Sequence, residues 1–351
     1  MYLKDKIPSH FHQIFVDLLE IEIPYEKIAT CKECTLCVHE KSPYQKIKCC
    51  NYYPRVANFL VGGIIQDENL KFGKEIIENL IEKKIGVSPF GIFPDLLYTK
   101  RKNAFTERIS INHVKKDIIP LICPFMKNEM CTVWDYRENL CVTYFCSSIS
   151  GKFGVQFWEE LNSFIRISEI KISKYCMKKL RYKEDDISLF YKEVNNFDLQ
   201  NKNGTLNKKK YNKIWNNWLL KEMEYYSKCY EIYKDLEYNE FKKIFGKDYL
   251  VVLNSLKLKS KEFLKNVFPE KVIINSKATL KIDKNTVTFF LGSSQLVLDH
   301  SSYFFFKLFN GINNTIDVEK KALSFFLSIN NYIEDALNKN ILLNANTLIT
   351  E

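Results

Sequence analysis

Nine of the chain's 11 cysteines fall in two short segments, and no other feature limits the fold so strongly. The first segment holds Cys31, Cys34, Cys37, Cys49 and Cys50; the second holds Cys123, Cys131, Cys141 and Cys146. Two residues between cysteines let both sulfurs turn toward one ion, the tight knuckle shared by zinc and iron–sulfur ligation. Several thiolates gathered in one pocket repel one another unless a cation sits among them. The cysteine total is odd, a chain of 351 residues needs no covalent staples, and the N-terminus MYLKDKIPSHFHQIF lacks the basic-then-apolar layout of an export signal. The clustered thiols are therefore expected to be metal ligands in a cytoplasmic protein, with metal-free redox thiols as the alternative.

The spacing narrows the metal only in part. Cys31, Cys34 and Cys37 match three positions of the bacterial ferredoxin run, but Lys41 stands where the fourth cysteine belongs. The radical-SAM spacing is absent too. Nine thiols exceed what a bare zinc fold needs, and zinc gives Cys49-Cys50 no clear role, so an iron–sulfur cluster is favoured over zinc. A four-thiolate centre carries a residual charge of about −2, which Lys32, Lys46, Lys48 and Arg137 would offset if they are more than surface charge. His39 offers an alternative ligand two residues beyond Cys37.

Composition excludes several other classes. At 46% hydrophobic and 14% aromatic the chain is too apolar for disorder, yet no apolar run approaches the ~20 residues of a membrane helix. The net charge of +10 is spread thinly, +2 over residues 1–150, +5 over 151–250 and +3 over 251–351, with Lys208-Lys209-Lys210 the one basic run. A nucleic-acid partner requires a concentrated basic face, so this distribution argues against one. Adjacent carboxylates at Glu159-Glu160 and Asp185-Asp186 would not face one another on a helix and make poor acid–base pairs. Gly62-Gly63 is too short for a phosphate loop. His10 and His12 read as an exposed helix start, and Cys176 and Cys229 as small core residues.

Hydrophobic periodicity predicts helices around 8–30, 69–85, 155–180 and 211–237, and a short buried element over 58–65. Residues 87–119 read as loop with short strands, and 181–210 as a polar stretch with an exposed turn. Over 211–237, Trp215, Trp218, Leu219, Met223, Tyr226, Cys229, Tyr230 and Tyr233 step by three and four, which points to core packing. Beyond residue 255 the texture changes. KVIINSKATLKI and NTVTFFL read as strands joined at Asp283-Lys284-Asn285, SQLVLDHSSYFFFKLFNG as a strand running into a helix stopped by Gly311, and Thr315–Leu327 and Tyr332–Leu337 as two helices. The expected class is α+β, mainly α-helical. A cysteine-cluster metal-binding domain over 1–150 is followed by a helical domain over 151–255 and a small α+β module over 256–351.

Cys123, Pro124, Phe125, Cys131, Arg137 and Cys141 fall in the register of a known hallmark. The segment CPFMKNEMCTVWDYRENLC resembles YkgJ-type cysteine-cluster proteins, a family of zinc- or iron-chelating domains. Val133 and Trp134 stand in that pattern's Ile-Tyr places, Glu138 replaces its proline and Val142 its second arginine. The family's N-terminal knot is similar to Cys31, Cys34 and Cys37, but the double cysteine here is displaced to Cys49-Cys50. The resemblance covers roughly residues 29–150 and implies metal binding rather than a particular reaction. More faintly, Val272 to Leu343 looks like a PqqD-type winged-helix module, which would imply a peptide bound as an added strand along an exposed edge.

The expected function is metal binding, through an iron–sulfur cluster or zinc, in the service of redox chemistry or of modifying a peptide or protein substrate. The rivals are a structural zinc-binding interaction protein without catalysis and a metal-free thiol redox sensor. Whether the chain is an enzyme is left open by its residues.

Overall fold

The computed structural model describes residues 1–26, 49–110, 121–145, 147–325 and 327–347. The class is α+β and mainly helical. The N-terminal stretch buries Leu3, Phe11, Ile14, Phe15 and Leu18, but as separate turns around α1 (Val16–Leu19) rather than one helix, because Phe15 leaves helical geometry at φ −102°, ψ 28°. Three short strands and two helices then lay down a frame: β1 (Val56–Ala57), α2 (Asn58–Gln66), α3 (Lys71–Lys83), β2 (Val87–Ser88) and β3 (Gly91–Ile92). The strands form an antiparallel sheet in the order β1-β3-β2, with Val56 and Val87 both opposite Ile92.

α2 is buried along its length and crosses a later helix at very short range. A Cβ on Gly62 would lie 2.0 Å from the Tyr226 carbonyl oxygen, and one on Gly63 would lie 2.2 Å from the Tyr136 ring. The double glycine is a close-packing device. Where α3 stops, Lys84 adopts the left-handed conformation and Gly86 follows at φ 66°, as the stop signal predicts.

Next come α4 (Leu96–Ser110), the hairpin of β4 (Met126–Lys127) and β5 (Met130–Cys131), α5 (Asn139–Thr143) and the long α6 (Gly151–Lys179). α4 occupies residues expected as loop; its weak amphipathic pattern hides it. α7 (Glu184–Asn195) lies in the segment expected to be polar, and its buried face is only Ile187, Phe190 and Val194. The expected helix over 211–237 is two, α8 (Lys208–Trp215) and α9 (Glu222–Lys234). Left-handed residues Asn216 and Leu220 break it, and the Tyr182 hydroxyl donates to the carbonyls of Ile214 and Trp215 at 3.1 and 3.3 Å, satisfying the end of α8. The aromatic stripe is core: Trp215, Tyr226, Cys229 and Tyr233 are all buried. α10 (Tyr238–Phe245) and α11 (Tyr249–Lys265) complete this part.

One continuous apolar core takes side chains from Leu3 to Phe263, so the segments 1–150 and 151–255 pack into each other. A second core runs from Phe268 to Leu342. It is built from β6 (Lys271–Ile274), β7 (Thr279–Ile282), β8 (Thr286–Leu291), β9 (Ser294–Asp299), α12 (His300–Phe306), β10 (Asn310–Asn314), α13 (Thr315–Ser324), α14 (Asn330–Asn338) and β11 (Leu342–Asn344). KVIINSKATLKI is two strands, not one. Asn275 bends the chain by accepting from Lys277 N–H at 2.9 Å, so β6 joins the sheet β10-β6-β11 while β7 joins β7-β8-β9. The β7–β8 turn falls where expected, with Asp283 N–H donating to the Thr286 carbonyl at 2.9 Å. The helix after β9 ends at Phe306, earlier than Gly311, which lies in β10. Asp299 caps α12 by accepting from Ser302 N–H at 2.8 Å. Phe268 N–H donates to the Ile149 carbonyl at 2.7 Å and ties the second core to the start of α6.

Two consequences are measurable. Gly62→Ala forces α2 and α9 apart and is expected to cost about 1–3 kcal/mol in urea unfolding. In the second core Glu319 is buried, accepts from Ile329 N–H and Ser328 Oγ, and burial raises its pKa from 4.5 to about 6. A carboxyl with a raised folded pKa stabilises most below its unfolded value, and that contribution is lost as pH rises through the folded one. Relative to Glu319→Gln, the native chain should therefore lose about 2 kcal/mol between pH 4 and pH 7. A parallel pH dependence in the two proteins would refute the assignment.

Candidate functional site

Glu26 lies at the edge of the first cysteine segment, with its carboxylate buried beside the start of α6. Oε1 accepts from Ser148 Oγ at 2.6 Å and Trp158 Nε1 at 3.3 Å, and Oε2 accepts from Ile149 N–H at 3.2 Å. The segment's other end is held at Cys50, whose carbonyl accepts from Cys123 N–H at 2.6 Å. That bond sets a cysteine of the first segment beside one of the second.

The second segment is shaped by local backbone chemistry. Asn128 and Glu129 both have positive φ, 51° and 63°, which makes a tight two-residue hairpin between β4 and β5. Thr132 N–H and Oγ1 both donate to the Phe125 carbonyl, at 3.0 and 2.7 Å. The hairpin thereby returns Cys131 toward Cys123 across seven residues. The backbone N–H groups of Phe125 and Val133, each two residues on from its cysteine, lie near the sulfurs of Cys123 and Cys131 and favour their thiolate forms. Cys141 sits in the first turn of α5, whose cap is Glu138: the carboxylate accepts from Leu140 N–H at 3.0 Å and Cys141 N–H at 3.1 Å, and also meets the Cys141 thiol.

Cys50, Cys123, Cys131 and Cys141 are each half-buried. Burial, together with the neighbouring thiols and Glu138, pushes the Cys123 thiol up to about 12; burial raises Cys131, and burial with Glu138 raises Cys141. Arg137 is the nearby cation. Its Nε donates to the Trp134 carbonyl at 2.7 Å, its guanidinium stacks 3.4 Å from the Trp134 ring centre, and its charge acts on both Cys131 and Cys141. Of the other expected site residues, Cys31, Cys34, Cys37 and Cys146 lie outside the described residues, as do the Cys49 side chain, His39, Lys32, Lys46 and Lys48. Among the described residues no three His, Cys, Asp or Glu side chains converge as a group able to hold a metal ion.

Behind Cys141 opens a cleft of about 400 Å³ that the sequence did not single out. Tyr52, Arg55, Phe90 and Phe93 form one wall, and Asn162, Arg166 and Ser173 of α6 form another, with Glu169 of the same helix at its base. Glu138 and Asn139 lie at its floor, and Tyr191 and Asn195 of α7 close it. Glu138, Asn139 and Glu169 are buried, whereas Arg55 and Arg166 are exposed. With its nitrogen facing the carboxylates, the Asn139 amide donates to Glu138 Oε2 at 2.7 Å and Glu169 Oε2 at 2.9 Å, and its oxygen accepts from Asn162 Nδ2 at 3.1 Å. Glu169 Oε1 is buried and makes no hydrogen bond. Burial and the neighbouring Glu138 carboxylate hold the Glu169 pKa well above the ordinary range. The signal for Glu169 was present: it occupies the helical step between Ile165 and Ile172, on a stripe that is otherwise apolar or small.

Other candidates resolve as structure. His10 is not an exposed helix start. Its ring packs between Phe11, Tyr136 and Tyr233, Nδ1 donates to Tyr233 Oη at 3.1 Å, and burial lowers its pKa to about 3. Glu160 pairs with Lys259 at 3.0 Å. Cys176 and Cys229 are buried in the core. No helix among the described residues is long and apolar enough to cross a membrane. A scan of protein-family models and searches of curated proteins and of solved structures each found no match to this chain.

Removing the Glu169 charge should make the fold less sensitive to pH. The native chain binds a proton at Glu169 that the unfolded chain releases near pH 4.5, so its stability relative to Glu169→Gln falls as pH rises above that value. Denaturation midpoints of the two proteins at pH 4.5 and pH 7.5 check this; Glu169→Gln should be the more stable at pH 7.5.

Proposed function

We propose that the clustered cysteines bind a metal centre, an iron–sulfur cluster in preference to zinc, in a cytoplasmic protein of YkgJ-like type. The observation that carries the proposal is the 2.6 Å bond from Cys123 N–H to the Cys50 carbonyl, which joins two segments more than 70 residues apart at their cysteines. The donor chemistry fits. Backbone N–H groups lie near the half-buried sulfurs of Cys123 and Cys131, and the Arg137 charge favours the thiolates of Cys131 and Cys141, an arrangement suited to an anionic thiolate centre. Cys50, Cys123, Cys131 and Cys141 would contribute from the described residues, with Cys31, Cys34, Cys37, Cys49 and Cys146 as the remaining candidate ligands. An iron–sulfur centre would supply one-electron chemistry there; zinc would supply structural cross-linking.

The peptide reading draws on the second core. Every residue of β7 is exposed and β7 is an edge of its sheet, with Leu280 and Ile282 facing outward, which supports an extended peptide adding there as a strand. The proposal therefore extends to redox chemistry on, or modification of, a peptide or protein substrate.

Anaerobic purification tests the assignment. A brown protein with a broad band near ~400 nm, bleached in Cys123→Ser and Cys141→Ser, is expected. A colourless protein with stoichiometric zinc would establish the structural zinc rival, and a metal-free protein with reversible Cys–Cys linkage the sensor.

A further inference from the structure

The cleft behind α5 has a charge order of its own. Its floor is the buried Glu138–Asn139–Glu169 chain, and exposed Arg55 and Arg166 line it further out. Glu138 is fully occupied as the cap of α5, and Arg55 Nη1 is engaged with Asn195 Oδ1 at 2.9 Å. Glu169 is different. One oxygen takes the Asn139 amide; the other, Oε1, has no partner although the residue is only 5% exposed. Among the described residues neither Glu169 nor Arg166 belongs to an ion pair. A buried carboxylate oxygen without a donor is costly, and in native proteins such an atom calls for a specific explanation.

A donor arriving through the cleft supplies that explanation. Water could reach the atom, but the remaining features select something larger. The volume of about 400 Å³ is that of a small-molecule site, and Tyr52, Phe90, Phe93 and Tyr191 give it aromatic walls suited to an aliphatic or cationic group. A neutral donor would satisfy Oε1 but would bring no counter-charge to two adjacent buried acids, whereas an ammonium both donates to Oε1 and lets Glu169 release its proton to solvent. A lone cation would meet the outer arginines unfavourably, and a lone anion the floor. A molecule with positive charge leading and negative charge trailing matches both ends.

We propose that this cleft is a binding site for a small zwitterion of the amino-acid class, its ammonium donating to Glu169 Oε1 and its carboxylate meeting Arg166, with Arg55 alongside. The site stands independently of the metal proposal, although Glu138 touches both the cleft and Cys141.

Isothermal titration of the full chain with glycine, β-alanine and γ-aminobutyrate tests the site across a range of charge separations, with n-butylamine and n-butyrate as the two half-ligands. Saturable binding of at least one zwitterion is expected, with either half-ligand about tenfold weaker or worse. Glu169→Gln should weaken the zwitterion and n-butylamine by about tenfold or more while leaving the circular dichroism spectrum intact. Arg166→Met, at an exposed position, should weaken the zwitterion several-fold and leave n-butylamine unchanged. No saturable heat from any of the three zwitterions, or equal affinity in the native chain and Glu169→Gln, would overturn the site. So would n-butyrate binding as tightly as γ-aminobutyrate. Metal content is measured on the same samples: loss of amino-acid binding with metal retained, or the reverse, separates the two proposals.

Discussion

A carboxylate held on the apolar spine of α6 is the constraint around which the molecule is arranged. This helix must bury Phe157, Leu161, Phe164, Ile165, Ile172 and Cys176 against the surrounding helices, and Glu169 falls in the same stripe. A buried acid there needs a polar partner, and the chain supplies Asn139, the first residue of α5. Asn139 is set by the cap that Glu138 forms, and the same cap positions Cys141. The placement of Cys141 and the polarity of the cleft thus meet at one buried acid and the amide that serves it.

Local chemistry fixes the cysteines more than apolar packing does. The tight turn at Asn128-Glu129, the doubled donation of Thr132 to Phe125 and the Glu138 cap are all short-range devices, and each places one cysteine. They need little core, which suits a segment in which most residues between 121 and 145 are exposed or half-exposed. The one long-range element is the backbone bond between Cys50 and Cys123, and it does not depend on either side chain. A Cys→Ser change can therefore remove a sulfur without dismantling the frame that presents it.

How much of this was legible depended on period. Helices with a strong apolar repeat, such as α3, α6 and α9, are readable from Ile77 and Leu80, from Phe157 to Ile165 and from Tyr226 to Tyr233. α4 and α7 were not, because α4 has almost no stripe and α7 shows only three buried positions among charges. The break between α8 and α9 was hidden since Asn216 and Leu220 interrupt the backbone without interrupting the aromatic spacing. Gly62-Gly63 was visible as a pair, but its use in close packing depends on Tyr226 and Tyr136, far away in the chain. The cysteines were legible as a set. Glu138 stood out only as a departure from a pattern, and Glu169 was masked by its apolar neighbours, although an acid in a stripe that should be greasy is a readable anomaly.

The clip at Glu26 has a thermodynamic corollary. One carboxylate grips Ser148 and Ile149, just past the end of the second cysteine segment, while its own residue stands at the threshold of the first. With Cys50 anchored to Cys123 as well, Glu26 and Cys50 are each tied to the second cysteine segment or its immediate continuation by bonds that no metal supplies. An inorganic guest bound by these cysteines would not have to form those two ties, because the polypeptide makes them with its own hydrogen bonds.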